Sequence, residues 1–212
     1  MDAIFSNQAY EILKRLFDFV LSLFLFLLLL PILILIGAVI KMDSQGPFLY
    51  LGERVGRYNS KFKIYKFRTM GPDAEGYGTT TAKDDPRITR IGRVLRKTKI
   101  DELPQLLNIL KGDMSFVGPR PEVEEHTSEY TDEEKMILTV RPGITDYSSI
   151  HFISLDEVLG SQNPHQVYLS GVRAEKNKLR LKYVRECSFS TDIKIIGLTF
   201  VSLVRKVTGS QG

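Results

Sequence analysis

The sequence predicts an α-rich α+β protein: an N-terminal re-entrant membrane helix hairpin (residues 1–41) joined to a small cytoplasmic-face domain (residues 42–212) of short helices, a β-hairpin and an amphipathic C-terminal helix. Three observations predict this. An apolar run with a central proline lies near the N-terminus. Two segments rich in aromatic and β-branched residues flank a short polar turn. Leucine and isoleucine then recur at helical spacing between capping signals and Gly/Pro punctuation.

From Phe19 to Ile40 the only polar side chain is Ser22. About 22 residues at roughly 1.5 Å each give about 33 Å, enough to cross a hydrocarbon core. A secretory signal has a shorter apolar core, about 7–15 residues, and an A-x-A-like cleavage site that this segment lacks. Pro31 removes one backbone hydrogen bond and bends the helix, so a kinked span competes with a re-entrant hairpin. Lys14 and Arg15 flank one end, and Lys41, Arg54 and Arg57 follow the other. Positive residues gather on the cytoplasmic side, and a hairpin satisfies both flanks. Asp18, at the edge of the run, needs a partner, and Lys14 lies one turn earlier on the same face.

With 212 residues, 43% of them hydrophobic, the chain suits one sizeable core rather than two. A net charge of +4 favours anionic partners, and charge alone does not choose among nucleic acid, membrane phospholipids and nucleotide phosphates. No nucleic-acid recognition motif is present, so nucleic acid is not expected as a partner. The single Cys187 excludes an internal disulfide, and no paired cysteines or clustered histidines suggest zinc. A homo-oligomer is compatible with the sequence but not specified by it.

Past Lys41, residues 46–57 and 60–70 read as two strands of a hairpin, and residues 70–85 as an exposed loop. Helices are predicted from Pro86 to Lys97 and from Asp101 to Leu110, the second with Leu103, Leu106, Leu107 and Leu110 on its core face. Thr131-x-x-Glu134 and Ser154-x-x-Glu157 fit capping boxes, and Asn163-Pro164 fits an N-cap followed by proline. The acidic run from Glu122 to Glu134 suits a solvated helix face. From Asp192 to Val207, Ile193, Ile196, Phe200, Leu203 and Val207 share a stripe too greasy for an ordinary surface helix, suited to lipid headgroups or to the core.

Adjacent carboxylates, Asp101 and Glu102, precede Pro104 at a helix start, where unpaired N–H groups stabilise negative charge. Capping and catalysis both fit them. Arg120, between Pro119 and Pro121, and Arg141, before Pro142, sit on restricted backbone and are suited to phosphate or to structural salt bridges. Lys66 and Arg68, two apart on a strand, face the same way and either add charge to a phosphate site or guard an edge. His126, His151 and His165 show no ligand spacing and read as structural.

Taken together, KRLFD at 14–18, KIYKFRTM at 63–70, KIDELPQLLNILKGDMSFVGPRPE at 99–122, VRPGIT at 140–145 and YVRECSFSTDIKII at 183–196 closely resemble the bacterial sugar transferase family. These are monotopic polyprenyl-phosphate phosphoglycosyl transferases, here in the minimal single-domain form, with the resemblance running from about residue 11 to 206. It implies transfer of a sugar-1-phosphate from a UDP-sugar to undecaprenyl phosphate at the inner-membrane cytoplasmic face, initiating glycoconjugate or polysaccharide synthesis. Asp101 would be the nucleophile of a covalent phosphosugar intermediate and Glu102 its partner. Mg²⁺ would be held by Asp101 and the diphosphate, with Arg120, Lys66 and Arg141 on phosphate oxygens. Pro31 matches the family's break in a re-entrant helix. The chain departs from many relatives at Leu30, where they carry serine. It departs again at 146–153, where DYSSIHFI replaces GWAQVNGR, and at Arg180, where they often carry aspartate. These departures point to a different sugar preference.

Overall fold

The computed structural model describes residues 8–71, 85–155, 158, 160 and 164–208. It is helix-rich, with one long apolar N-terminal helix and small two-stranded sheets. Helix α1 (Gln8–Asp43) carries Pro31 inside it and is long and apolar enough to cross a membrane by length and composition. One stripe, including Asp18, Ser22, Leu33, Gly37 and Ile40, is buried, whereas Phe24, Leu27, Leu28, Ile34 and Leu35 are exposed. The buried stripe packs along the rest of the protein. Phe26 and Leu29 meet Ile64, Leu106, Ile109 and Met114, and Leu33 and Ile40 join Phe67 and Leu95.

The polar start of α1 is wired into that domain. Lys14 does not pair with Asp18; its ammonium lies 2.5 Å from the buried Asp192 carboxylate, which also accepts from Tyr10 and Tyr183. Asp18 instead accepts from the Phe116 backbone N–H at 3.2 Å. Arg15 donates to the carbonyls of Ile109 (2.6 Å) and Leu110 (2.9 Å), near the end of a later helix where carbonyls lack helical partners and attract a cation.

Strands β1 (Leu49–Val55) and β2 (Lys61–Phe67) form the expected antiparallel hairpin, in register from Leu49↔Phe67 to Val55↔Lys61. On the far edge of β2, Asn108 acts as a one-residue strand: its Nδ2 donates to Lys63 O (2.8 Å) and its Oδ1 accepts from Tyr65 N (2.9 Å). Helix α2 (Arg90–Thr98) starts later than Pro86, because Pro86 and Arg87 form a turn closed by Ile88 N donating to Asp85 O, Ile88 bridges to Met70, and Thr89 caps the Gly92 N–H.

After α2, Lys99 takes a left-handed conformation and the chain enters a 3-10 helix, Ile100–Gln105, before α3 (Leu106–Lys111). The predicted single helix from Asp101 is therefore two pieces, with the carboxylates in the tighter one. Strand β3 (Ser115–Val117) then pairs in parallel with β4 (Gly143–Thr145), a pairing too short to show as a sequence period. The backbones touch there: a Cβ on Gly143 would lie 2.1 Å from Gly118 N.

Helix α4 (Glu124–Thr127), a 3-10 turn (Glu134–Thr139) and α5 (Tyr147–His151) surround this crossing. The Thr131–Glu134 capping box forms, with both reciprocal bonds present. Helix α6 (Pro164–Val167) passes through a π turn (Tyr168–Val172) into α7 (Arg173–Glu186), and α8 (Phe189–Thr208) follows. Glu157, Asn163 and residues 72–84, and with them two predicted caps and most of the predicted loop, lie outside the described residues. Ile195 of α8 is fully buried against Val117 and Tyr183, while Ile193, Leu198, Phe200, Val201 and Val204 stay exposed, so the helix packs on one side and keeps an apolar outer face.

Candidate active site

Three elements converge on Glu102. β2 brings Lys66, whose ammonium lies 3.3 Å from Glu102 Oε1. The loop after β3 brings Arg120, which donates to the same Glu102 oxygen through one nitrogen and to Ile144 O (3.0 Å) through another. Burial opposes the charge on Glu102, but Arg120, Lys66 and Lys99 outweigh it and hold its carboxyl well below the usual range. Burial pushes the Lys66 ammonium down, opposed by Glu102.

Asp101 is different. It is only 7% exposed, and its Oδ1 has no hydrogen-bond partner among the described residues. Burial, then the neighbouring Glu102 charge, raise its pKa, while Lys66, Lys99 and Arg96 pull it down. A carboxylate stripped of water and unpartnered is a better nucleophile and an open oxygen ligand. Among the described residues no group of three His, Cys, Asp or Glu side chains could cage a metal. A hard ion such as Mg²⁺, which takes one or two carboxylates plus substrate oxygens, nevertheless fits the free Asp101 oxygen.

The Pro119-Arg120-Pro121 loop is fixed from several sides. Gly118 N donates to Thr145 O, Gly143 N to Pro119 O, and Val55 N to Glu122 O. Glu122 is not on a solvated helix face as the acidic run suggested; only Glu124–Thr127 of that stretch forms an α-helix. Its Oε1 accepts from Arg180, a guanidinium only 1% exposed, and from Tyr168 OH (3.0 Å), with Lys176 Nζ at 3.6 Å. Burial pushes the Lys176 ammonium down to about 8, with Glu122 opposing. His126 packs on the Tyr168 ring, a structural place as expected. Asp146, first of the divergent 146–153 segment, is fully buried and caps α5 through Ser149 N (2.7 Å).

The other predicted cations sit elsewhere. Arg141 lies 3.3 Å from Glu11, which it shares with Arg57. Arg68 is turned to the α1–β1 connection, holding the Gln45 and Ser44 carbonyls. Thus Lys66, Glu102 and Arg120 are brought together beside Asp101, whereas Arg68 and Arg141 make their contacts away from Glu102. Sequence reasoning overlooked Lys99 and Arg96, whose charges reach Asp101, and the buried Glu122–Arg180 pair behind Arg120. The only hint of that pair was the unusual Arg180.

Comparison with known proteins agrees with the motifs. The family model described as bacterial sugar transferase matches residues 9–206, so the chain belongs to the bacterial sugar transferase family. It is 39% identical over 194 residues to the undecaprenyl-phosphate glucose phosphotransferase of Komagataeibacter xylinus, covering 88% of this chain and 35% of that protein. It is 35% identical over 210 residues to the UDP-glucose:undecaprenyl-phosphate glucose-1-phosphate transferase of Escherichia coli K12, covering 92% and 41%. The uncharacterized sugar transferase EpsL of Bacillus subtilis is 38% identical over 202 residues, covering 95% and 90%. The chain therefore spans only about a third to two fifths of the two larger relatives and most of the third.

Proposed function

We propose that this chain transfers a sugar-1-phosphate from a UDP-sugar to undecaprenyl phosphate at the cytoplasmic face of the bacterial inner membrane, initiating a glycoconjugate or polysaccharide. The observation that carries this reading is the unpartnered, buried Asp101 oxygen beside a Glu102 whose charge is taken up by Lys66 and Arg120. An Asp101 oxygen attacks the sugar-bearing phosphorus, the bond from that phosphorus to the bridging oxygen breaks, and UMP leaves with the electron pair. An oxygen of undecaprenyl phosphate then attacks the same phosphorus and the Asp101 carboxylate departs, so no water is consumed. Mg²⁺, held by Asp101 and diphosphate oxygens, would supply charge neutralisation. Glu102 holds Lys66 and Arg120 in place. Arg120 is fixed by its bond to Ile144 O and positioned for phosphate oxygens.

Attachment to lipid phospholipids through α1 and the outer face of α8 fits their exposed apolar side chains. Re-entrance of α1 is supported by its two ends. Lys14, Arg15 and Asp18 contact α8, α3 and β3, while Leu33 and Ile40, beyond Pro31, contact Phe67 and Leu95 of the same domain. A span would carry one end to the opposite side of the bilayer.

Purified protein with Mg²⁺, undecaprenyl phosphate and a panel of UDP-sugars is expected to release UMP, and intact mass to trap a phosphosugar on Asp101. No release with any sugar, or undiminished activity in Asp101→Asn, sinks the mechanism.

A further inference from the structure

Lys99 joins α2 to the 3-10 helix that carries the carboxylates, with φ 59 and ψ 14. Glycine or asparagine enters this left-handed region far more readily than a long side chain does. The turn is tied at both ends, since Lys99 N donates to Arg96 O (3.3 Å) and Glu102 N donates to Lys99 O (3.2 Å). Backbone held in a sparsely populated conformation clusters where function needs a side chain in a set place. Among the described residues the Lys99 ammonium makes no hydrogen bond or ion pair, yet its charge acts on both Asp101 and Glu102. Lys66 and Arg120, by contrast, both direct their charge at Glu102 Oε1. Among the described residues, an anion approaching Asp101 therefore meets two cations already paired, Lys66 and Arg120, and two that are not, Lys99 and Arg96, of which Lys99 acts on Glu102 as well.

We propose that Lys99 contacts substrate, receiving the oxygens of the phosphate ester brought up to Asp101. This rests on the transfer reaction above. A phosphate ester arrives there twice, in the nucleotide sugar and in the polyprenyl phosphate, and the two half-reactions separate these sources.

The test compares wild type with Lys99→Gly and Lys99→Arg. Glycine relaxes the left-handed backbone and removes the ammonium, so Lys99→Gly is expected to melt no lower than wild type. Arginine keeps the charge on the same backbone. Expected is a loss of about tenfold or more in kcat/KM for Lys99→Gly, the scale of one charge-assisted hydrogen bond, with Lys99→Arg largely recovered. A loss confined to UMP release without acceptor assigns the nucleotide sugar. A loss confined to transfer onto undecaprenyl phosphate assigns the lipid phosphate. Calorimetric binding of UDP and of inorganic phosphate, on an Asp101→Asn background, reads the contact without turnover.

Lys99→Gly at wild-type rates in both half-reactions overturns the inference, and so do equal losses in Lys99→Gly and Lys99→Arg. Wild-type protein that releases no UMP refutes the parent reaction instead. The calorimetry then decides for Lys99 alone: neither ligand weakened by Lys99→Gly overturns its role.

Discussion

Replacing Arg180 by methionine removes a guanidinium that is 1% exposed and leaves its partner, the Glu122 carboxylate, buried beside Tyr168 OH at 3.0 Å and Lys176 at 3.6 Å. Breaking a buried pair by deleting one partner costs about 3–5 kcal/mol, because the remaining charge is uncompensated. Tyr168 and Lys176 still serve Glu122, so the low end applies, about 3 kcal/mol. For a chain of this size each kcal/mol moves the melting temperature by roughly 2–4 °C, giving a drop of about 6–12 °C. The assay is thermal unfolding in detergent at pH 7 for Arg180→Met, Glu122→Gln and the double variant. Contact between the two sites predicts that the double variant is more stable than the sum of the single losses by about 1–3 kcal/mol. A drop under about 2 °C, or strict additivity, refutes the assignment. Acid gives a second check. The folded-state pKa of Glu122 is depressed, so its contribution is present above the unfolded value, about 4.3, and is lost as pH falls toward the folded value. The gap between wild type and Glu122→Gln therefore narrows below about pH 4.

Other outcomes follow from the same geometry. Arg120→Lys keeps the charge but cannot bridge Ile144 O and Glu102 at once, so kcat/KM should fall by about 10–100-fold with little change in melting temperature; unchanged kinetics would remove Arg120 from the site. Asn108→Ala strands Lys63 O and Tyr65 N at the edge of β2 and should cost about 2–4 kcal/mol in denaturant unfolding. Gly143→Ala drives a Cβ to 2.1 Å from Gly118 N and should disrupt the β3–β4 crossing, read as lost protection of the Gly143 and Gly118 amides in hydrogen exchange.

Local rules made much of the fold legible. Alternating aromatic and β-branched residues marked the β1–β2 hairpin, and the Thr131–Glu134 spacing marked a capping box that forms. Long-range pairings escaped because they leave no period. A three-residue parallel strand has too few positions to alternate, and Asn108, placed among leucines, gave no sign that its amide completes a sheet edge. The segment from Asp101 forms a 3-10 piece and then an α-helix rather than one helix, because the left-handed turn at Lys99 is a backbone event that a lysine does not advertise. At the site, Asp101, Glu102, Arg120 and Lys66 stood out by motif, and the structure adds how they divide the charge among them. Arg68 and Arg141 satisfied the same sequence rule, yet their partners, the Ser44 and Gln45 carbonyls and Glu11, lie far away in the chain and only folding reveals them.

The grip of Arg15 on the Ile109 and Leu110 carbonyls bears on elevation above the lipid. Those carbonyls belong to α3, which continues directly from the 3-10 helix holding Asp101, so no slack linker separates the apolar helix from the carboxylate. In the proposed membrane-bound state, the bilayer that seats α1 acts as a depth gauge for Asp101. Thinning or thickening the membrane should shift reaction rate even where every side chain of the site is left as it is.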